Sequence, residues 1–149
     1  MLLTSFLIVL GVGVTVGIIY LNYTTSFSSA GTVENYAGSK IDEDFDIPEH
    51  FPKHYSEMLL ITHNHIIAFS IIFLLLGYIF LHSSIITGWW KKFFIIEPFI
   101  STLVTFMSIW GIRYISPSFS TITMISGILM YASFYFILMI LLYELNLKK

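Results

Sequence analysis

Four apolar stretches constrain this chain more than any other feature: about 2–21, 58–81, 93–112 and 119–143. Each is long enough to cross a bilayer as a helix, which takes roughly 20 residues. Backbone N–H and C=O groups in hydrocarbon must be paired within their own segment, so apolar runs of this length read as helices. Composition agrees. Of 149 residues, 56% are hydrophobic and 11% charged, whereas a soluble domain carries about 25% charged residues. Mean hydropathy is +0.84. Lipid can cover the apolar faces, so no conventional core has to be buried. The expectation is an all-α integral membrane protein, a four-helix up-down bundle forming one transmembrane domain over 1–149.

The absence of cysteine excludes disulfides, thiolate metal sites, covalently attached haem and iron–sulfur clusters held by this chain alone. The seven Lys and Arg form no patch, so nothing points to nucleic acid. The first stretch has no basic residue ahead of it, so it reads as a retained helix rather than a cleaved signal, although Ser28-Ser29-Ala30 has the look of a cleavage site.

Between the first and second stretches lies the one substantial polar segment, about 22–57. It carries Glu34, Asp42, Glu43, Asp44, Asp46, Glu49 and Glu57 against Lys40 and Lys53. Lys91, Lys92, Lys148 and Lys149 fall on one side of the bundle; Lys40, Lys53 and Arg113 fall on the other. Counting positive charge alone places both termini in the cytoplasm and the acidic loop outside, as in a multi-pass protein of a bacterial cytoplasmic membrane. Trp89 and Trp90 fit the inner aromatic belt; Tyr20, Tyr23, Trp110 and Tyr114 fit the outer one. Ser116 can cap the fourth helix with Pro117 at its first position, Pro98 can open the third behind Glu97, and Pro52 can open the second. Gly13 and Gly17 form a small-xxx-small pair that lets another helix approach closely. The expected partners are the lipid bilayer and other membrane subunits or further copies of this chain.

Candidate chemistry rests on histidine. Thr62-His63-Asn64-His65 opens the second stretch, and an ionisable side chain at that depth is a functional-site hypothesis by default. His50, His54, His63 and His65 all fall at the outer side, and imidazole is the commonest metal ligand. Geometry limits them. His63 and His65 point about 200° apart on a helix, so they cannot chelate one ion. His54 and His65 share a face but lie about 16 Å apart along a continuous helix. His63 shares a heptad face with Ser56, Ser70 and Gly77, a small-residue face expected to point into the bundle. Met107 and Met124 lie in the same outer half, and thioether plus imidazole suits Cu(I) or haem. Arg113 is placed to pair with a haem propionate. Against this stands a plainer reading, in which His63 bonds a carbonyl or water at the interface and the methionines only pack.

Glu97 is the second ionisable outlier. It reads either as a proton-relay carboxylate or as a helix-start acid favoured by the dipole. Asp42, Asp44 and Asp46 alternate, but no Gly turn or later bidentate Glu completes a calcium loop.

The run Met58–His65, followed by apolar residues ending in Gly77-Tyr78-Ile79-Phe80, resembles small four-helix bacterial membrane proteins with a Thr-His-x-His motif opening a transmembrane helix. Glu97-Pro98-Phe99 through Trp110-Gly111 is similar in kind, so the resemblance covers about residues 50–140. A Thr-His-x-His helix start also resembles that of haem and haem-copper membrane proteins, which implies His63 as a haem or copper ligand. Unlike a self-contained two-histidine cytochrome, this chain offers no histidine on another membrane helix. The expected function is a small redox-associated membrane subunit holding haem b or a copper ion at the outer side. The alternatives are a non-catalytic accessory subunit of a larger membrane complex and a proton-coupled carrier using His63 and Glu97.

Overall fold

A computed structural model describes residues 1–39, 48 and 50–147. Its elements are α1 (Leu2–Thr25), α2 (Ser29–Ala37), α3 (Tyr55–Leu81), α4 (Gly88–Tyr114) and α5 (Phe119–Asn146). The four long helices are each long and apolar enough to cross a membrane. The protein is therefore an all-α multi-pass membrane bundle. Lys40, the Asp42–Asp46 run, Lys148 and Lys149 lie outside the described residues.

The long helices alternate in direction. Thr4 Oγ1 bonds Asn146 Oδ1 at 3.3 Å, which places both chain ends at one end of the bundle. The α1–α2 connection, the start of α3 and the α4–α5 turn form the opposite end, called here the α2 end. At the termini end, Lys91 Nζ donates to the carbonyls of Leu81 (3.0 Å) and Ser83 (2.6 Å). It thereby satisfies acceptors that the end of α3 leaves free. Glu144 accepts from the Ser84 backbone N–H at 2.9 Å and from its hydroxyl at 2.8 Å.

α2 was not anticipated within the polar segment. Nine residues are too few to hold a helix alone in water, so its stability is tertiary. α1 ends in two left-handed residues, Ser26 (φ 50°) and Phe27 (φ 49°). The chain then turns back, and Ser28 Oγ accepts from Gly31 N at 2.9 Å as an N-cap. A Cβ on Gly31 would strike the Thr25 carbonyl, so this turn requires glycine. Thr32 and Tyr36 are buried where α2 meets α1, α4 and α5.

Two expected helix starts are corrected. α4 begins at Gly88, not near residue 93, and Pro98 lies inside it. An internal proline removes one backbone bond. That loss is tolerated in a membrane helix packed by neighbours, and here α4 is flanked by α3 and α5. Pro52 stands outside α3, whose cap is His54: Glu57 accepts from the His54 backbone N–H at 3.2 Å.

Aromatic rings join the helices inside a largely aliphatic core. Phe69 of α3 meets Phe106 of α4, and Phe73 meets Phe99 of α4 and Phe134 of α5. α4 and α5 share the most extensive contact, and α1 touches only α2 and α5. Most of α1 therefore faces outward, Gly13 and Gly17 included; nothing lies within 4 Å of a Cβ built on either. The close approach on α1 is at Gly11, where a Cβ would sit 2.9 Å from Leu138 Cδ2.

Candidate functional site

At the histidine end, the packing of α3 decides where the expected ligands point. α3 buries Met58, Phe69, Phe73, Leu76, Gly77 and Phe80. Large apolar side chains, most of them phenylalanines, choose the inward face. Ser56, His63 and Ser70 are exposed as a result, and only Gly77 of the expected small-residue face turns in. Thr62 takes the inward-leaning place instead and accepts a 2.8 Å bond from Trp110 Nε1. His65 lies flat against α4, its ring 5.2 Å from that of Phe106, and its Nδ1 donates to the Ile61 carbonyl at 2.8 Å.

Of the remaining expected ligands, the side chains of His54 and Arg113 have partners, whereas His50 is exposed and bonded through its backbone. His54 Nδ1 is 3.2 Å from Ser56 Oγ at the start of α3. The His50 carbonyl accepts from Ser39 N at 2.9 Å and its N–H donates to Ser39 Oγ at 3.0 Å, pinning the chain on both sides of the acidic stretch. Arg113 Nε donates to the Lys53 carbonyl at 3.0 Å and its guanidinium lies 5.0 Å from the Tyr114 ring centre. Met107 is 53% exposed and Met124 half-buried. Among the described residues, no three His, Cys, Asp or Glu side chains are grouped to hold a metal ion.

Glu97 has a different setting. It is 8% exposed and lies about 14 Å from the start of α4 at 1.5 Å rise per residue. It is not a helix-start acid, because α4 begins more than two turns earlier. Its two carboxylate oxygens each accept a hydroxyl bond, Oε1 from Ser101 one turn along α4 and Oε2 from Ser133 across on α5. A carboxylate in hydrocarbon is costly unless its lone pairs are met, and here both oxygens are.

From Glu97 toward the α2 end, hydroxyls continue along the α4–α5 seam. Thr102 Oγ1 donates to the Pro98 carbonyl at 2.7 Å and lies 3.3 Å from Met130 Sδ. Thr105 Oγ1 donates to Ser126 Oγ at 2.8 Å. Ser108 Oγ and Thr123 Oγ1 are 2.7 Å apart. Ser120 Oγ then meets Ser29 Oγ of α2 at 2.6 Å. All of these seam side chains on α4 and α5 are buried, whereas Ser29 is exposed. Among the described residues, no buried side-chain nitrogen or oxygen lacks a partner. Toward the termini the same seam changes character: Phe94 stacks on Phe136 at 4.1 Å, and Ile137, Leu138 and Leu141 are buried.

Sequence reasoning singled out Glu97 but missed this seam. The signal was present as hydroxyls spaced three or four apart: Ser101, Thr105 and Ser108 on one helix, Ser120, Thr123 and Ser126 on the next. His63 and Glu97, the pair expected of a carrier, are not brought together; the carboxylate is met by α4 and α5 alone.

A family model described as a transmembrane helical domain matches residues 26–149. No match was found among curated proteins or solved structures.

Proposed function

The chain belongs to the Aq_1264_TM family of transmembrane helical domains, and from that premise we propose that it is a proton-handling component of the membrane in which Glu97 is the exchanging group. One observation carries this reading: a buried carboxyl within a membrane-spanning helix, with both oxygens on hydroxyls. Ionisable groups at that depth are expensive and mark proton or ion relays in membrane proteins. A carboxyl exchanges a proton without leaving its place. A single small bundle gives it no second titrating group in the seam, so the reading includes a larger membrane assembly that delivers or uses the proton. The Lys and Arg distribution supports a bacterial cytoplasmic membrane with both termini inside.

Infrared spectra of the protein in lipid nanodiscs, recorded across pH, test the reading. The expected result is a pH-dependent carboxyl band in the wild type that is missing from Glu97→Gln. Identical spectra in the two proteins would overturn it. Gln keeps the size; its oxygen can accept from one serine hydroxyl and its NH2 can donate to the other, so the variant is expected to fold.

A second reading keeps the redox role. His63 and Met107 are both exposed, so haem b or copper held by them would sit between this chain and another subunit. His50, His54, Met124 and Arg113 would serve as neighbours rather than as a preformed cage. Native membranes carrying the protein with its partners would then show a haem absorption band or stoichiometric copper that His63→Ala abolishes. Unchanged haem and copper content in His63→Ala counts against this reading and leaves Glu97 in front.

A further inference from the structure

We propose that Glu97 exchanges its proton with one side of the membrane only, the side carrying α2, and that the Ser29–Ser120 contact is the entry to its route. This rests on the reading of Glu97 as a proton-exchanging group and adds its sidedness.

The two halves of the α4–α5 seam differ in kind. On the α2 side, paired hydroxyls recur about every turn, from Thr105–Ser126 and Ser108–Thr123 to Ser120–Ser29. A hydroxyl both donates and accepts, so it can take a proton from one neighbour and pass its own to the next. Successive rungs are about 5 Å apart along the helices, so hand-over between rungs uses a rotating hydroxyl or an inserted water. The file begins at an exposed serine and its last hydroxyl pair is Thr105–Ser126. From there to the buried carboxyl is about 12 Å along α4, past Thr102 beside Met130 Sδ to Ser101, which bonds Glu97, so this last step needs inserted water. On the termini side, the buried Ile137 and Leu141, and the Phe94–Phe136 stack at the outer edge where Phe136 is exposed, carry no group that can hold a proton. Direct contacts of 2.6–2.8 Å between rung oxygens leave no room for a hydrated metal cation, so the exchanged species is the proton.

Several other titratable and charged groups on the packed helices are engaged elsewhere, and Lys92 and His63 are exposed. On α5, Tyr135 bonds Thr15 of α1 at 2.7 Å, Tyr131 meets the Phe69 ring of α3, and Glu144 holds Ser84. On α4, Lys91 caps α3 and Arg113 holds Lys53. On α3, His65 and His82 bond carbonyls of their own helix.

The experiment uses the full chain in sealed vesicles, with orientation read from protease access to a C-terminal tag and pH set separately on the two sides. The probe is dicyclohexylcarbodiimide, a lipid-soluble reagent that attacks a carboxyl group only in its proton-bearing form. Labelling of Glu97 is read by mass spectrometry. The expected result is that labelling follows the pH on the α2 side and ignores the pH on the termini side. Breaking a rung with Ser108→Ala plus Thr123→Val is expected to slow that response; Phe136→Leu is expected to leave it unchanged. Labelling that follows the termini side, or both sides equally, overturns the sidedness while keeping Glu97 as an exchanging group. Glu97 that stays unlabelled at every pH on either side, in folded wild-type protein, overturns the proton reading itself.

Discussion

Glu97 shows how one residue is made tolerable and useful by its neighbours. Its carboxylate is met by Ser101 and Ser133. Glu97→Ala removes the acceptor of both hydroxyls. Serine can turn back to a carbonyl of its own helix, and side-chain bonds between membrane helices average about 0.6 kcal/mol. The expected cost is therefore about 1 kcal/mol, measured by unfolding in mixed micelles, with Glu97→Gln costing less. A second residue-scale case is Gly111. A Cβ there would run into the ring of Phe119, which a short turn holds in place. Gly111→Ala is expected to destabilise by about 1–3 kcal/mol through overpacking, measured in the same assay. Gly11→Ala is expected to cost less, because its obstacle is the far end of the flexible Leu138 side chain.

Among the elements, α1 is the least anchored, touching only α2 and α5. The expectation that Gly13 and Gly17 face another helix is not met within this chain, since both open outward. Their pairing motif can act only between chains. Changing both to Leu is expected to leave the isolated bundle as stable as the wild type, within about 0.5 kcal/mol, because nothing is displaced. If the motif serves assembly, the same double variant is expected to lose partners on blue-native gels; unchanged migration of the assembly would exclude that role. α4 shows the opposite behaviour. Proline inside it was read as a start signal, yet the apolar run and the flanking helices carry it through.

At the scale of the whole molecule, α2 ties the bundle together. Its Tyr36 is buried among α1, α4 and α5. Burial, with smaller contributions from nearby Tyr131 and Tyr20, pushes its phenol from 10.0 up to about 12. The folded state thus holds this proton more tightly than the unfolded chain does. The stabilisation is fully present below pH 10 and is lost as pH rises from about 10 to about 12, amounting to about 2–3 kcal/mol. Wild-type protein is expected to lose stability across that window. Tyr36→Phe is expected to show a shallower decline, followed by thermal unfolding in detergent at stepped pH.

The four membrane helices and their alternation were legible in the sequence because long apolar runs have few other solutions in lipid. The interest of Glu97 was legible too, since a lone carboxyl in such a run is conspicuous. Facing was legible only in part. On α4 and α5 the spacing of hydroxyls marked the inner face, but α3 is apolar nearly all round, so no polar face tells its lipid side from its bundle side. For α3 the packing of Phe69, Phe73 and Phe80 decided it and left His63 outside. α2 was invisible because nine residues carry too little pattern of their own. The seam joining Glu97 to Ser29 arises only when α4 and α5 meet in antiparallel register. Hydrogen bonds across that register pair residues far apart in the chain, and no local period in one helix specifies its partner on the other.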